Sequence, residues 1–109
     1  MFSRKIIESD DFLELSKPSQ LLYFHLCMYA DDDGFINNPK SIIRSVGADA
    51  SDLNELKQHN YIHEFKSGIM LIMHWKIHNY IQKDRYRPTS CVDEKNQVEL
   101  VYNSVYVLK

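Results

Sequence analysis

Cysteine, glycine and proline are all scarce in this chain: its 109 residues hold two, three and three of them. Cys27 and Cys91 are too few for a disulfide framework or a cysteine zinc site, so the expected compartment is the reducing cytoplasm of a cell. Long apolar runs are missing as well. The longest, Ile69 to Met73, has the length of a strand, and a membrane span needs about 20 such residues. No apolar stretch follows Met1-Phe2-Ser3-Arg4-Lys5 in the manner of a signal peptide. Nor does one sign of charge dominate. The formal net charge is −2, which argues against a histone-like, wholly basic binder. What is present is enough apolar residue, 44% of the chain, to exclude disorder and fill a single core.

The near-neutral total hides a split. From Glu8 to Asp33 seven acids (Glu8, Asp10, Asp11, Glu14, Asp31, Asp32, Asp33) stand against Lys17 alone. From Lys76 to Arg87 the balance is +3, with Lys76, Lys83, Arg85 and Arg87 against Asp84. Two oppositely charged regions predict two faces with different partners.

The glycines punctuate. Gly34 follows the three aspartates, Gly47 follows Ile42-Ile43-Arg44-Ser45-Val46, and Gly68 separates two strand-like runs. Each marks a turn or a helix stop. A short helix is expected around Ser9 to Leu15. A longer one over 16–30 is capped by Ser16, with Pro18 in its first turn and a broad stripe of Leu21, Leu22, Phe24, Leu26, Met28 and Tyr29. Asp31 to Gly34 reads as a solvated turn into the short strand Phe35-Ile36. Asn38-Pro39 opens a second helix that buries Ile42, Ile43 and Val46 and stops at Gly47. Asp49 or Ser51 caps a third, carrying Leu53 and Leu56 inward and ending near His59, with Asn60 left-handed. Tyr61 to Lys66 and Ile69 to Trp75 form a hairpin about Ser67-Gly68, with Ile69, Leu71 and Met73 on one face. A short helix within Thr89 to Glu99 and a terminal hairpin turning at Asn103-Ser104 complete the reading.

The fold class is therefore mainly α with a small antiparallel sheet (α+β), in the order of a winged helix-turn-helix. Residues 1–88 form that domain with an N-terminal helical extension. Residues 89–109 are a C-terminal extension, either a short helix and hairpin or the start of a linker.

Features that suggest catalysis or metal binding do not hold up. Asp31-x-Asp33-Gly34 begins like a calcium loop, yet Lys40 stands where the last ligand, a glutamate, is required. His74 and His78 straddle a strand end without a third ligand nearby, and read as packing or surface residues. Cys27 falls in the apolar stripe and reads as buried, Cys91 as exposed. No phosphate loop or nucleophile elbow occurs, so the sequence predicts no enzyme, cofactor or metal. Nucleic-acid contacts are expected in three places: Lys40, Ser41 and Arg44 on the second helix with Asn54, Lys57 and Gln58 on the third, Lys66 at the hairpin tip, and the basic-aromatic segment Lys76, His78, Tyr80, Lys83, Arg85, Tyr86 and Arg87. Asp49, Asp52 and Glu55 on the third helix oppose phosphate there. Phe2, Ile6 and Ile7, together with Phe12, Leu13 and Leu15, offer more apolar surface than a small domain is expected to cover, so Phe2, Ile6 and Ile7 are candidates for self-association, most simply as a two-fold dimer.

Several of these segments resemble one family. Met1-Phe2-Ser3-Arg4-Lys5-Ile6-Ile7, Tyr23-Phe24-His25-Leu26, Asp31-Asp32-Asp33-Gly34-Phe35-Ile36, Asn38-Pro39-Lys40 and His74-Trp75-Lys76-Ile77-His78-Asn79-Tyr80-Ile81, leading into Lys83-Asp84-Arg85-Tyr86, resemble the N-terminal domain of phage replisome organisers. These are replication-initiation proteins of phages and prophages of low-GC Gram-positive bacteria, similar in organisation to DnaD-type primosome proteins. The resemblance covers most of residues 1–88. It implies a winged helix, binding to origin DNA in double- or single-stranded form, homo-oligomerisation, and delivery of the replicative helicase or its loader in the cytoplasm of the bacterial host. The family has no catalytic residues. Two alternatives stand beside this reading: an oligomerisation and recruitment module that does not touch DNA, and a prophage transcriptional regulator.

Overall fold

The structure, a computed structural model, describes residues 2–79, 84–101 and 105–109. Two short helices, α1 (Arg4–Ile7) and α2 (Asp10–Leu13), lead into α3 (Lys17–Met28). Then come β1 (Phe35–Ile36), α4 (Pro39–Val46), α5 (Ala50–Gln58), β2 (Ile62–Glu64), β3 (Met70–Ile72) and the single turn α6 (Trp75–His78). The chain closes with α7 (Val92–Lys95), β4 (Val98–Leu100) and β5 (Tyr106–Leu108). This is a compact α+β fold with small antiparallel sheets.

Local chemistry sets most of these boundaries. The Ser16 hydroxyl accepts from the backbone N of Ser19 at 3.2 Å and starts α3. Ser9 does the same for Phe12 at 3.2 Å, which divides the single helix expected over 9–15 from a separate turn before it. Gly47 ends α4 at φ 76°, and Asn60 follows α5 at φ 66°, both in the left-handed region. Gly34 is needed twice over. Its φ is 92°, and an added Cβ would lie 2.6 Å from the Cβ of Trp75.

The three-stranded sheet has the order β1-β3-β2. Its register places Phe35, Leu71 and His63 side by side on one face, and Ile36, Met70 and Glu64 on the other. The C-terminal segment covers the first face: Tyr106 meets the Phe35 ring edge-on, and its backbone N donates to Met73 O at 3.0 Å. This is why Met70, Leu71, Ile72 and Met73 are all buried, where alternation predicted a single buried face. Cys91, Val98 and Tyr106 share one core with Leu22, Leu26, Ile62 and Ile72. Cys91, expected at the surface, is therefore buried.

Two further expectations are corrected. The apolar stripe of α3 is narrower than the sequence suggests: Leu22, Tyr23, Leu26 and Cys27 are buried, but Leu21, Met28 and Tyr29 are exposed. Tyr23 takes the inward place because its hydroxyl finds the His78 Nε2 at 2.6 Å. The turn at 31–34 is not solvated, since Asp33 is only 2% exposed. The terminal hairpin forms as read, with Val98 opposite Leu108, while its turn at Asn103-Ser104 lies outside the described residues, as do Tyr80 and Lys83.

Candidate nucleic-acid interface

The residues proposed for nucleic-acid contact divide into an outward and an inward group. On α4, Lys40, Ser41 and Arg44 are exposed, and Lys40 and Arg44 lie one turn apart on one ridge. Of the three acids that oppose phosphate at α5, Asp52 and Glu55 are drawn into local bonds and Asp49 is exposed at the helix start. Asp52 accepts from the backbone N of Asp49 at 2.9 Å, reinforcing the start of the helix. Glu55 turns to α3, where the Ser19 hydroxyl and the Ser16 backbone N donate to it. These donors hold the Glu55 carboxyl below its ordinary range. What α5 presents outward is Ser51, Asn54 and Gln58, all exposed, at a spacing that puts them on one face. Lys57 is half-buried and paired with Glu64 at 2.8 Å. Lys66 is exposed beside the β2–β3 turn, and that turn is fastened to α7 by a 2.8 Å bond from the Ser67 hydroxyl to Glu94.

Part of the basic-aromatic segment is turned inward. Asp33 accepts from Lys76 at 3.1 Å, from Lys95 at 3.3 Å, from the Tyr86 hydroxyl at 2.7 Å and from the backbone N of Thr89 at 2.9 Å. Burial pushes the Asp33 carboxyl up, and the donors from Tyr86, Thr89 and Lys76 outweigh it, leaving the group below the ordinary carboxylate range. The two ammonium groups also lie over the Tyr86 ring, 5.1 and 5.8 Å from its centre. The neighbouring aspartates extend the seam. The Trp75 indole donates to Asp32 O at 3.0 Å, the backbone N of Arg87 to the Asp32 carboxylate at 2.9 Å, and the Thr89 hydroxyl to Asp31. The Tyr106 hydroxyl donates to Asp33 O at 2.7 Å. The acidic and basic regions of the sequence thus meet each other here. Lys76 and Tyr86 are held in this seam, whereas the side chains of Arg85 and Arg87 are exposed.

The N-terminal candidates pack on the same chain. Phe2, Ile6 and Ile7 are half-buried against the core. Phe2 meets Phe24 edge-on at 4.8 Å and His78 at 5.4 Å. Ser3 N donates to His78 Nδ1 at 2.8 Å, fixing α1 to α6. Phe12 and Leu15 are fully inside, so of the six apolar residues in this segment only Leu13 is exposed. The surplus of apolar surface expected from the sequence is therefore small.

His78 shows how the interior treats a titratable group. Burial lowers its pKa to about 4, with His74 and the N-terminal charge acting in the same direction. Nδ1 accepts from Ser3, so the proton of the neutral ring sits on Nε2, facing the Tyr23 oxygen. Burial also pushes the Cys27 thiol up to about 12, so this cysteine is no nucleophile at neutral pH. Among the described residues no group of three His, Cys, Asp or Glu side chains is placed to hold a metal ion. No helix among them is long and apolar enough to cross a membrane.

Sequence reasoning missed Asp33, Thr89, Lys95 and Glu55 as organising residues. Glu55 meets Ser19 across 36 positions, and Asp33 meets Thr89 and Lys95 across 56 and 62 positions; no local pattern signals such bonds. Set against protein-family models, curated proteins and solved structures, the chain matches none of them.

Proposed function

We propose that residues 17–72 are a winged helix and that the chain is a DNA-binding module of replication initiation, of the replisome-organiser kind that its sequence resembles. The observation that carries the reading is the outward face of α5. With Asp52 and Glu55 beside them held in local bonds, its exposed side chains are Ser51, Asn54 and Gln58. These are neutral side chains of the type that reads base edges in a major groove. Lys40 and Arg44 on the preceding helix and Lys66 at the hairpin tip supply exposed cations for phosphates. The sheet order β1-β3-β2 and the helix-strand-helix-helix-strand-strand order agree with this architecture. Lys76 and Tyr86 act inside the molecule, as ties on Asp33.

The test is duplex binding followed by fluorescence anisotropy over a salt series. Replacing Lys40, Arg44 and Lys66 together by alanine leaves up to three phosphates without a cation. The slope of log K against log salt then falls by about 0.9 for each of those phosphates. Parent and triple variant with the same affinity and slope would refute the assignment of this face.

A second reading, recruitment through protein contact, is favoured by one feature. Leu21 and Met28 lie seven residues apart on α3, opposite its buried face, at 49% and 69% exposure. Two copies of α3 packed antiparallel about Phe24 and His25 would set Leu21 against the partner's Met28. The patch is smaller than the ~800 Å² per partner of a standard interface, so such a dimer is weak and dissociates on dilution. Sedimentation of the parent and of the Leu21→Glu variant from micromolar to millimolar concentration decides it.

A further inference from the structure

Between the end of α3, β1 and the start of α4 lies a cleft of about 280 Å³. Its floor is apolar, formed by the buried side chains of Ile36 and Ile42. One wall is the Tyr29 ring, 65% exposed where α3 ends. The rim carries Asn37, Asn38 and Ser41. Asn37 accepts from the Cys91 thiol through Oδ1 at 3.1 Å, which leaves its amide nitrogen available to donate. Asn38 makes no side-chain bond to the helix it precedes. An apolar floor with a few convergent polar groups is the anatomy of a small-ligand site. A flat aromatic wall selects a flat ligand, and neutral amides suit the edge of a heterocycle.

Charge narrows the ligand further. Asp31 also borders the cleft, so an anion is disfavoured inside it. Immediately outside, Lys40 and Arg44 form the ridge of α4 next to the Ser41 and Ser45 ridge that borders the cleft. Among the described residues neither cation has an ion-pair partner. A ligand with a flat neutral head and a flanking negative charge matches both features.

We infer that the cleft receives one unpaired nucleobase, stacked on Tyr29 and held at its edge by Asn37 and Asn38, with the adjoining backbone phosphate on Lys40 and Arg44. The inference rests on the DNA-binding reading and adds a strand preference to it. Bases in a duplex are stacked and paired, so only a single strand or an opened duplex offers its base to the cleft.

The experiment compares parent, Tyr29→Ala and Tyr29→Phe, all as the full chain. Affinities are measured for a single-stranded oligonucleotide containing 2-aminopurine and for a duplex of the same sequence. Loss of one base–aromatic stack weakens single-strand binding by about 5- to 150-fold. The inference expects that loss in Tyr29→Ala, with less fluorescence quenching, unchanged duplex affinity and near-parent binding by Tyr29→Phe. Because Tyr29 is at the surface, the alanine variant should keep the parent's circular dichroism, which separates a binding effect from unfolding. Equal single-strand affinity in parent and Tyr29→Ala overturns the cleft assignment and leaves the duplex reading standing. If the parent binds neither DNA form, the DNA reading falls, and titration with deoxyadenosine monophosphate monitored by amide NMR judges the cleft alone. Shifts at Asn37, Asn38 and Ser41 that vanish in Tyr29→Ala sustain it, and their absence in the parent overturns it.

Discussion

Replacing Asp33 by asparagine keeps the shape of the side chain and removes its charge from a site only 2% exposed. The backbone N of Thr89 cannot turn away, so the asparagine oxygen must take the Oδ2 side, where Thr89 donates at 2.9 Å. The new amide group then faces Lys76 and Tyr86. The Tyr86 hydroxyl can rotate to accept, but Lys76 meets a donor and has to withdraw. Removing one partner of a buried ion pair costs about 3–5 kcal/mol when the other is trapped. Here the lysine side chains are 24% and 42% exposed, and they recover part of their hydration by moving outward. The expected loss is therefore about 2–4 kcal/mol, near the value of one or two charge-assisted hydrogen bonds. Urea unfolding of parent and variant at neutral pH measures it directly. The variant also changes the response to acid. The Asp33 carboxyl titrates lower folded than unfolded, so its stabilising effect is present above the ordinary carboxylate range and is lost as pH falls through the folded value. The asparagine variant lacks that part of the acid slope. A double-mutant cycle with Tyr86→Phe should return a coupling of about 0.5–3 kcal/mol. A loss below about 0.5 kcal/mol for Asp33→Asn would refute the view that this carboxylate ties the turn at 31–33 to residues 76–95.

Two other tests concern stability. His78 is held neutral down to about pH 4 in the folded chain and takes up a proton near pH 6.5 when unfolded. Its contribution is thus complete above about pH 6.5, and about 3 kcal/mol is lost as pH falls from there to 4. His78→Asn should flatten the urea midpoint across that interval, and an unchanged pH profile would show that the ring is open to water. Gly34 and Gly47 both have positive φ, but only Gly34 also faces a close neighbour, Trp75. Gly47→Ala should cost about 1 kcal/mol through backbone strain and Gly34→Ala at least twice as much, with melting temperatures in the same order. Equal costs would mean that the crowding against Trp75 relaxes freely.

Much of the fold was legible because its signals are local. Ser16, Gly47, Asn60 and Gly68 each act within a few residues, and each stands where a cap, stop or turn is observed. The α+β class and the order of elements from α3 to β3 follow from such signals. Long-range bonds decide the features that were not legible. Three successive aspartates look like solvent-exposed turn residues, and nothing near them announces that Thr89, Lys95 and Tyr106 will surround Asp33. On α3, apolar residues occur on nearly every side, so periodicity alone could not tell that Tyr23 faces in and Tyr29 out. The candidate interface shows the same division. Lys40 and Arg44 were readable as exposed helix cations. Asn54 on α5 was readable as a base contact, but the turning aside of Glu55 by Ser16 and Ser19 was not. The cleft beside Tyr29 depends on three separate elements and leaves no mark in any one of them.

The seam at Asp33 also sets an order of events in folding. It joins the turn at 31–33 to Lys76, Tyr86, Thr89, Lys95 and Tyr106, across 43 to 73 positions of sequence. Closing loops of this length is entropically costly, and pairings of high sequence separation slow the barrier crossing. Helices α3 to α5 and the β2–β3 hairpin can assemble first, from neighbours within a short stretch of chain. Until residues 86–95 arrive, the Asp33 carboxylate lacks most of the donors that offset its desolvation, and until the last strand arrives the Phe35 face of the sheet stays uncovered. A chain shortened before Tyr106 keeps the carboxylate's donors but leaves the Asp33 carbonyl without the Tyr106 hydroxyl and the Phe35 face of the sheet open to water and to other chains.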